Sequence, residues 1–150
     1  MRLRRARTRS AATVVEAAFV ISLVLLFMFG IFEYCRFIFL VQVCENAARE
    51  GARFAVARTA DGTTLADVQN FTTYKMSGRD SELAGYTVTV QNVNPATGNP
   101  IPNANWNDAP FGGAIMVRVS GTYSPMLPSF LQTQTSIQIN STSMMTSEAN

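Results

Sequence analysis

Apolar and polar positions follow three different rhythms along this chain. From Ala17 to Phe32, sixteen consecutive residues carry no charge and are dense in Val, Ile, Leu, Phe and Met. With Ala11–Val15 added and Glu16 tolerated, the apolar stretch reaches about 22 residues, enough to cross a hydrocarbon core of ~30 Å as a helix. No small-residue cleavage site of the secretory type follows it, since "FGIFEYCRF" offers bulky side chains there, so the pattern predicts a retained anchor rather than a removed signal peptide.

The helical rhythm continues beyond the apolar stretch. Glu33 and Arg36 stand at i, i+3 and are placed to pair at the far interface; Glu45 and Arg49 stand at i, i+4. "VCENAAREGARFAVARTADG" is rich in good helix formers, and its first convincing stop is Asp61-Gly62. One helix is therefore predicted over 12–58, with Gly30 and Gly51 as interruptions that do not end it. Ala47, Ala48, Gly51, Ala52 and Ala55 form a run of small side chains. Such a run permits close approach of another helix or a sheet, but it also simply favours helix. Arg49 and Arg53 lie one turn apart and face either Glu45 and Glu50 or a partner subunit.

The third rhythm is shorter. "TTLADVQNFTTYKMSG" places Leu65, Val68, Phe71 and Lys75 at helical spacing, with Thr63 or Thr64 as cap and Gly78 as terminator. Period-two alternation follows in "YTVTVQNV", with Tyr86, Val88 and Val90 opposite Thr87, Thr89 and Gln91. It recurs in "AIMVRVSGTY", with Ile115, Val117 and Val119 against Met116, Arg118 and Ser120, and more weakly in "TSIQINSTSM". Between the first two strands lies an Asn-, Pro- and Gly-rich loop at 94–113, with Trp106 and Phe111 as anchors. Three half-buried antiparallel strands need a cover, and the outer half of the long helix is the available one. The predicted fold class is α+β: a long N-terminal transmembrane helix continuing into a small domain with a short helix and a three-stranded antiparallel sheet. Its core is small, so stability from neighbours is expected.

Charge sharpens the picture. Arg2, Arg4, Arg5, Arg7 and Arg9 hold five of the twelve basic residues, leaving seven against ten acidic ones elsewhere. A cationic N-terminus beside an apolar stretch keeps that end in the cytoplasm and sends the rest outward; it does not form a nucleic-acid surface. The chain has no histidine, and Lys75 is its single lysine, which removes histidine-based catalysis and metal ligation. Asp61, Asp67, Asp80, Glu82 and Asp108 are scattered, and no glycine-rich phosphate loop is present. Neither a cofactor, a metal nor a small-molecule substrate is expected, and the chain is not expected to be an enzyme. Cys35 and Cys44 are nine residues apart, about 13.5 Å of helical rise, too far for a disulfide within one helix; pairing between subunits stays open. "NFT" at Asn70 and "NST" at Asn140 match a sequon too short to mean more than chance.

Glu16 remains. A carboxylate beside the hydrocarbon costs on the order of 2–3 kcal/mol unless it finds a partner or snorkels to the headgroups. If the arginine tail is cut before Ala12, the new α-ammonium group lies one helical turn from Glu16, in the same chain or a neighbouring one. The two charges then neutralise each other as helices pack.

These residues resemble a known pattern. The basic leader, the small-residue junction and "ATVVEAAFVISLVLLFMFGIFEYCRF" look like the class III signal sequence of type IV pilin-like proteins. The continuation "EYCRFIFLVQVCENAAREGARFAVA" is similar to the TadE-like family, pseudopilins of the Tad (Flp) pilus system. The likeness covers 8–58 and is weaker beyond, in "VRVSGTYSPMLPSF" and "STSMMTSE". It implies a pilin-like fold and a pseudopilin or minor pilin subunit needed for pilus assembly and adhesion. It further implies processing by a prepilin peptidase at Ala11/Ala12, with Glu16 as the acidic mature position; prepilins favour Gly before the cut, where this chain has Ala11. The implied partners are membrane lipid, other pilin-like subunits and the assembly machinery.

The organisation expected is a basic leader at 1–11, the long helix at 12–58 with its first half in the bacterial inner membrane, and an extracytoplasmic α+β domain at 59–150. The competing reading is an unprocessed single-pass anchor whose exposed domain binds at the cell surface.

Overall fold

The computed structural model describes residues 5–59, 61–126 and 136–147, with side chains from Ala11 onward. The leader residues 1–4, and the "LPSF" end of the second strand motif, lie outside the described residues. The chain divides into two units, Met1–Arg36 and Phe37–Asn150. One helix, α1, runs over Arg5–Val56 and contributes to both. It starts earlier than the expected residue 12 and ends two residues before 58.

In the first unit α1 has apolar side chains all round. Val14, Val15, Phe19, Ile21, Phe27 and Phe32 are each more than half exposed, and no face is favoured. Nothing interrupts the backbone: the segment has no proline, and Ser22 returns its hydroxyl proton to Ala18 O at 2.9 Å, which satisfies the hydroxyl within an apolar stretch. Mean hydropathy of the apolar window reaches 2.6. A helix hydrophobic on every side suits lipid or other helices rather than water, so this is a single-pass membrane anchor.

In the second unit the same helix becomes one-sided. Leu40, Cys44, Ala47, Ala48, Gly51, Ala52 and Ala55 are buried at alternating three- and four-residue spacing, the stripe that a helix lays on a neighbour. All of these except Gly51 join the main core with Val88, Val90, Ile115, Val117, Val119, Tyr123 and Ile139 of the sheet. The outer half of the predicted helix does cover the strands. Phe37 packs on Tyr123 with ring centroids 5.5 Å apart.

The sheet is a three-stranded antiparallel meander in the order β1-β2-β3, with β1 at Leu83–Val93, β2 at Ala114–Tyr123 and β3 at Ile137–Thr146. Register sets the faces. Val88↔Val119 and Val90↔Val117 in one ladder, with Gly121↔Ile139 in the next, bring the apolar set to the helix side. One irregularity, between Ala84 and Thr87, coincides with Gly85 at φ +65°, a backbone region that glycine enters freely. Met116 is an exception to the alternation expected for β2. It lies on the opposite face yet is buried, in a second small cluster with Val93 and Ala114, because the sheet end there is itself apolar.

The short helix α2 spans Leu65–Lys75. Thr64 is its cap: the Asp67 amide donates to Thr64 Oγ1 at 3.3 Å and the Thr64 amide donates to Asp67 Oδ2 at 2.9 Å, a reciprocal box that satisfies two otherwise free donors. Its buried line is Val68, Thr72 and the following Met76, whereas Leu65, expected on that face, is 42% exposed. In the loop, Trp106 is buried within a short 3-10 turn over Trp106–Asp108, whereas Phe111 is 71% exposed. Only Trp106 anchors the loop. The reason is local: the Asn105 amide donates to Asp108 Oδ2 at 2.9 Å, closing the turn that points the indole inward.

Candidate functional site

Two stretches of α1 hold the residues singled out in the sequence. In the first, the bond between Ala11 and Ala12 lies inside regular helix, with both side chains exposed. Glu16 follows Ala12 by four residues, so the two positions share a helix face one turn apart. Glu16 is exposed and is the only charged residue between Ala11 and Phe32. At the other end of this unit Arg36 Nη1 and Glu33 Oε1 stand 3.7 Å apart, with side chains only 23% and 13% exposed. Shielding of that degree makes the pair more than a solvated surface contact. Cys35, beside it, is a free exposed thiol.

In the second stretch, charges sort by face. Arg49 and Glu45 form an exposed pair at 3.6 Å, worth less than about 1 kcal/mol. Glu50 turns instead to Lys75 of α2 at 3.8 Å. Arg53 is exposed in the last turn of α1, where a cation complements the helix dipole. Gly51 faces α2. A Cβ placed on it would overlap Thr72 Oγ1 and come within 3.3 Å of Thr72 Cβ and Cγ2. Thr72 cannot easily yield, since its hydroxyl donates to Val68 O at 2.8 Å and the side chain is fully buried. The missing side chain is therefore what lets α1 and α2 touch.

Beside that contact lies an arrangement not anticipated from the sequence. Phe54 stacks on Phe71 at 4.2 Å with planes 14° apart; Arg58 sits 4.5 Å from the Phe54 ring and Lys75 5.1 Å from the Phe71 ring. Two rings between two cations fasten the end of α1 to α2. Its only sequence signal is a phenylalanine on each helix near a basic residue.

The scattered carboxylates have local duties. A hydroxyl donated by Thr63 holds Asp61 below its ordinary range, and one donated by Thr64 does the same for Asp67. Glu82 pairs with Arg79 at 2.7 Å. Cys44 is a free, buried thiol on the sheet side of α1, pushed by burial up to about 11. Among the described residues, no group of three or more Cys, Asp or Glu side chains is placed to hold a metal ion.

Comparison with known proteins adds one match. The model of the TadE-like protein family matches residues 11–53. That interval takes in Glu16, the Glu33–Arg36 pair, the Glu45–Arg49 pair, Gly51 and Arg53. No match was found among curated proteins or among solved structures.

Proposed function

We propose that this chain is a pseudopilin or minor pilin subunit that takes part in assembling a Tad (Flp) pilus. The observation that carries the proposal is the TadE-like match over 11–53, lying on a helix that is apolar all round from Ala11 to Phe32 save for one charged residue, Glu16. In this reading a prepilin peptidase removes the leader at Ala11/Ala12. The freed α-ammonium group and Glu16 of the same or an adjacent chain then form a charge pair that sets the stagger between packed helices. Such a pair offsets the cost of bringing either charge out of water. The subunit is anchored in the inner membrane with its sheet domain outside the cytoplasm, and it acts by packing against other pilin-like subunits rather than by catalysis.

Intact mass and N-terminal sequencing of the membrane-extracted protein test the processing step. The expected chain starts at Ala12; one starting at Met1 in functional material leaves an unprocessed anchor instead. In the processed chain Glu16→Ala is expected to block assembly while membrane insertion persists. Normal pilus formation by Glu16→Ala would refute the pairing role.

A further inference from the structure

Charge in the sheet is concentrated in one residue. β1, β2 and β3 contain no Asp, Glu or Lys, and Arg118 is their only charged side chain. It is exposed, in the middle of the central strand, on the face turned away from α1. Its register partners are Thr89 on β1 and Thr142 on β3. The adjoining rows of that face are Thr87, Ser120 and Asn140 on one side and Gln91, Met116 and Met144 on the other. A charge that guards a sheet against stray pairing belongs on an edge strand. This one is not there.

The side chain is held in place. Arg118 Nε donates to Thr142 Oγ1 at 3.3 Å, and Thr89 Oγ1 donates to Arg118 O at 3.5 Å. With Nε engaged, both Nη groups of the fork are directed to acceptors beyond these contacts. Elsewhere in the same unit cations meet carboxylates: Arg49 meets Glu45, Arg58 meets Asp61, Lys75 meets Glu50 and Arg79 meets Glu82. Asp67 and Asp108 are engaged by their capping turns. Among the described carboxylates of this unit, Asp80 alone stands outside such contacts, and among the described residues no carboxylate pairs with Arg118.

We infer that Arg118 centres a docking face for an acidic segment of a different polypeptide, whose carboxylate takes the outward side of the guanidinium fork while Thr87, Ser120, Asn140 and Thr142 meet its polar flanks. Charge complementarity selects the occupant. The planar fork matches a carboxylate with two parallel hydrogen bonds, and strands without an acidic residue add no repulsion. A second copy is a poor source, because its described carboxylates other than Asp80 are engaged within their own chain. Glu148 is the single acidic residue outside the described ones, six positions beyond Thr142 in the sequence. An acidic glycan is disfavoured, because the rows of this face carry no aromatic ring for a sugar to stack on. The inference rests on the subunit-packing reading only for the existence of a partner, and is independent of leader processing and of Glu16.

Arg118→Lys keeps the charge and supplies an amine that a carbodiimide joins to a touching carboxylate. The full-length Arg118→Lys chain, treated with carbodiimide in native membranes and mapped by peptide mass spectrometry, is expected to carry an amide bond from position 118 to an Asp or Glu of a different polypeptide. Arg118→Glu is expected to lower co-purification of that polypeptide at least about tenfold. Lysine in place of the mapped carboxylate is expected to restore it in the Arg118→Glu background, which separates a specific contact from chance capture. The inference is overturned by an adduct to Asp80 of a second copy, to Glu148 of the same chain or to a glycan carboxylate, by no adduct at all, or by co-purification that Arg118→Glu leaves unchanged. An adduct with a restoring charge swap, in cells whose pili form without this chain, upholds the docking face and refutes the pilus role alone.

Discussion

Replacing Gly51 by alanine puts the helix contact to a quantitative test. Away from any neighbour, glycine to alanine inside a helix is stabilising by about 0.8–1 kcal/mol. Here the new Cβ overlaps Thr72 Oγ1, and Thr72 Cγ2 waits at 3.3 Å should the side chain rotate. Overpacking of this kind costs about 1–3 kcal/mol, so Gly51→Ala in the native background should be destabilising by up to about 2 kcal/mol. Thr72→Ala removes both γ atoms and leaves Thr72 Cβ at 3.3 Å, a tight contact but one that a small shift relieves. In that background Gly51→Ala should change sign and stabilise by about 0.5–1 kcal/mol. The double-mutant cycle then yields a coupling of about 1–3 kcal/mol. Denaturant unfolding of the full-length chain in detergent micelles provides the assay. Trp106 is the single tryptophan and is buried in the unit being unfolded, so its fluorescence reports that unit. A coupling below about 0.5 kcal/mol, or stabilisation by Gly51→Ala alone, would refute the close-approach reasoning.

Two further outcomes follow from the same structure. Trp106→Ala should cost about 3 kcal/mol or more and Phe111→Ala about 0.5 kcal/mol or less, measured by thermal unfolding; equal losses would contradict the assignment of Trp106 as the loop's anchor. Asp67 titrates below its ordinary value in the folded chain because Thr64 donates hydrogen bonds to its carboxylate. Its contribution is therefore fully present above the unfolded value and lost as pH falls through the lower folded one. The stability difference between native chain and Asp67→Asn should be flat above about pH 5 and shrink below about pH 4, and a difference that holds unchanged to strongly acid pH would contradict the capping role.

Several details escaped the sequence for identifiable reasons. The stripe Ala47, Ala48, Gly51, Ala52, Ala55 was visible as small residues, yet its meaning depended on what lay opposite. Thr72, twenty-one positions away, supplies that. Trp106 and Phe111 look alike as bulky residues in a polar loop, and the Asn105–Asp108 turn decides which one points inward. Met116 takes the outward face that alternation assigns it but breaks the expected burial pattern, because Val93 and Ala114 create a second apolar spot at the sheet end. Phe54 and Phe71 gave no periodic signal as a pair. Helix packing had to bring them within 4.2 Å.

By itself the sequence determined the elements whose causes are local. An apolar stretch of sufficient length, helix formers with i, i+4 charge pairs, a Thr64–Asp67 box and period-two alternation each act through hydrogen bonds and side chains a few residues apart. Such signals also carry the likeness to TadE over 11–53. Tertiary structure alone decided which side of α1 turns from lipid-like exposure to a buried stripe and which carboxylate Lys75 meets. Those outcomes rest on contacts between residues distant along the chain, where the favourable term is burial against a particular neighbour, and no local pattern specifies who that neighbour is.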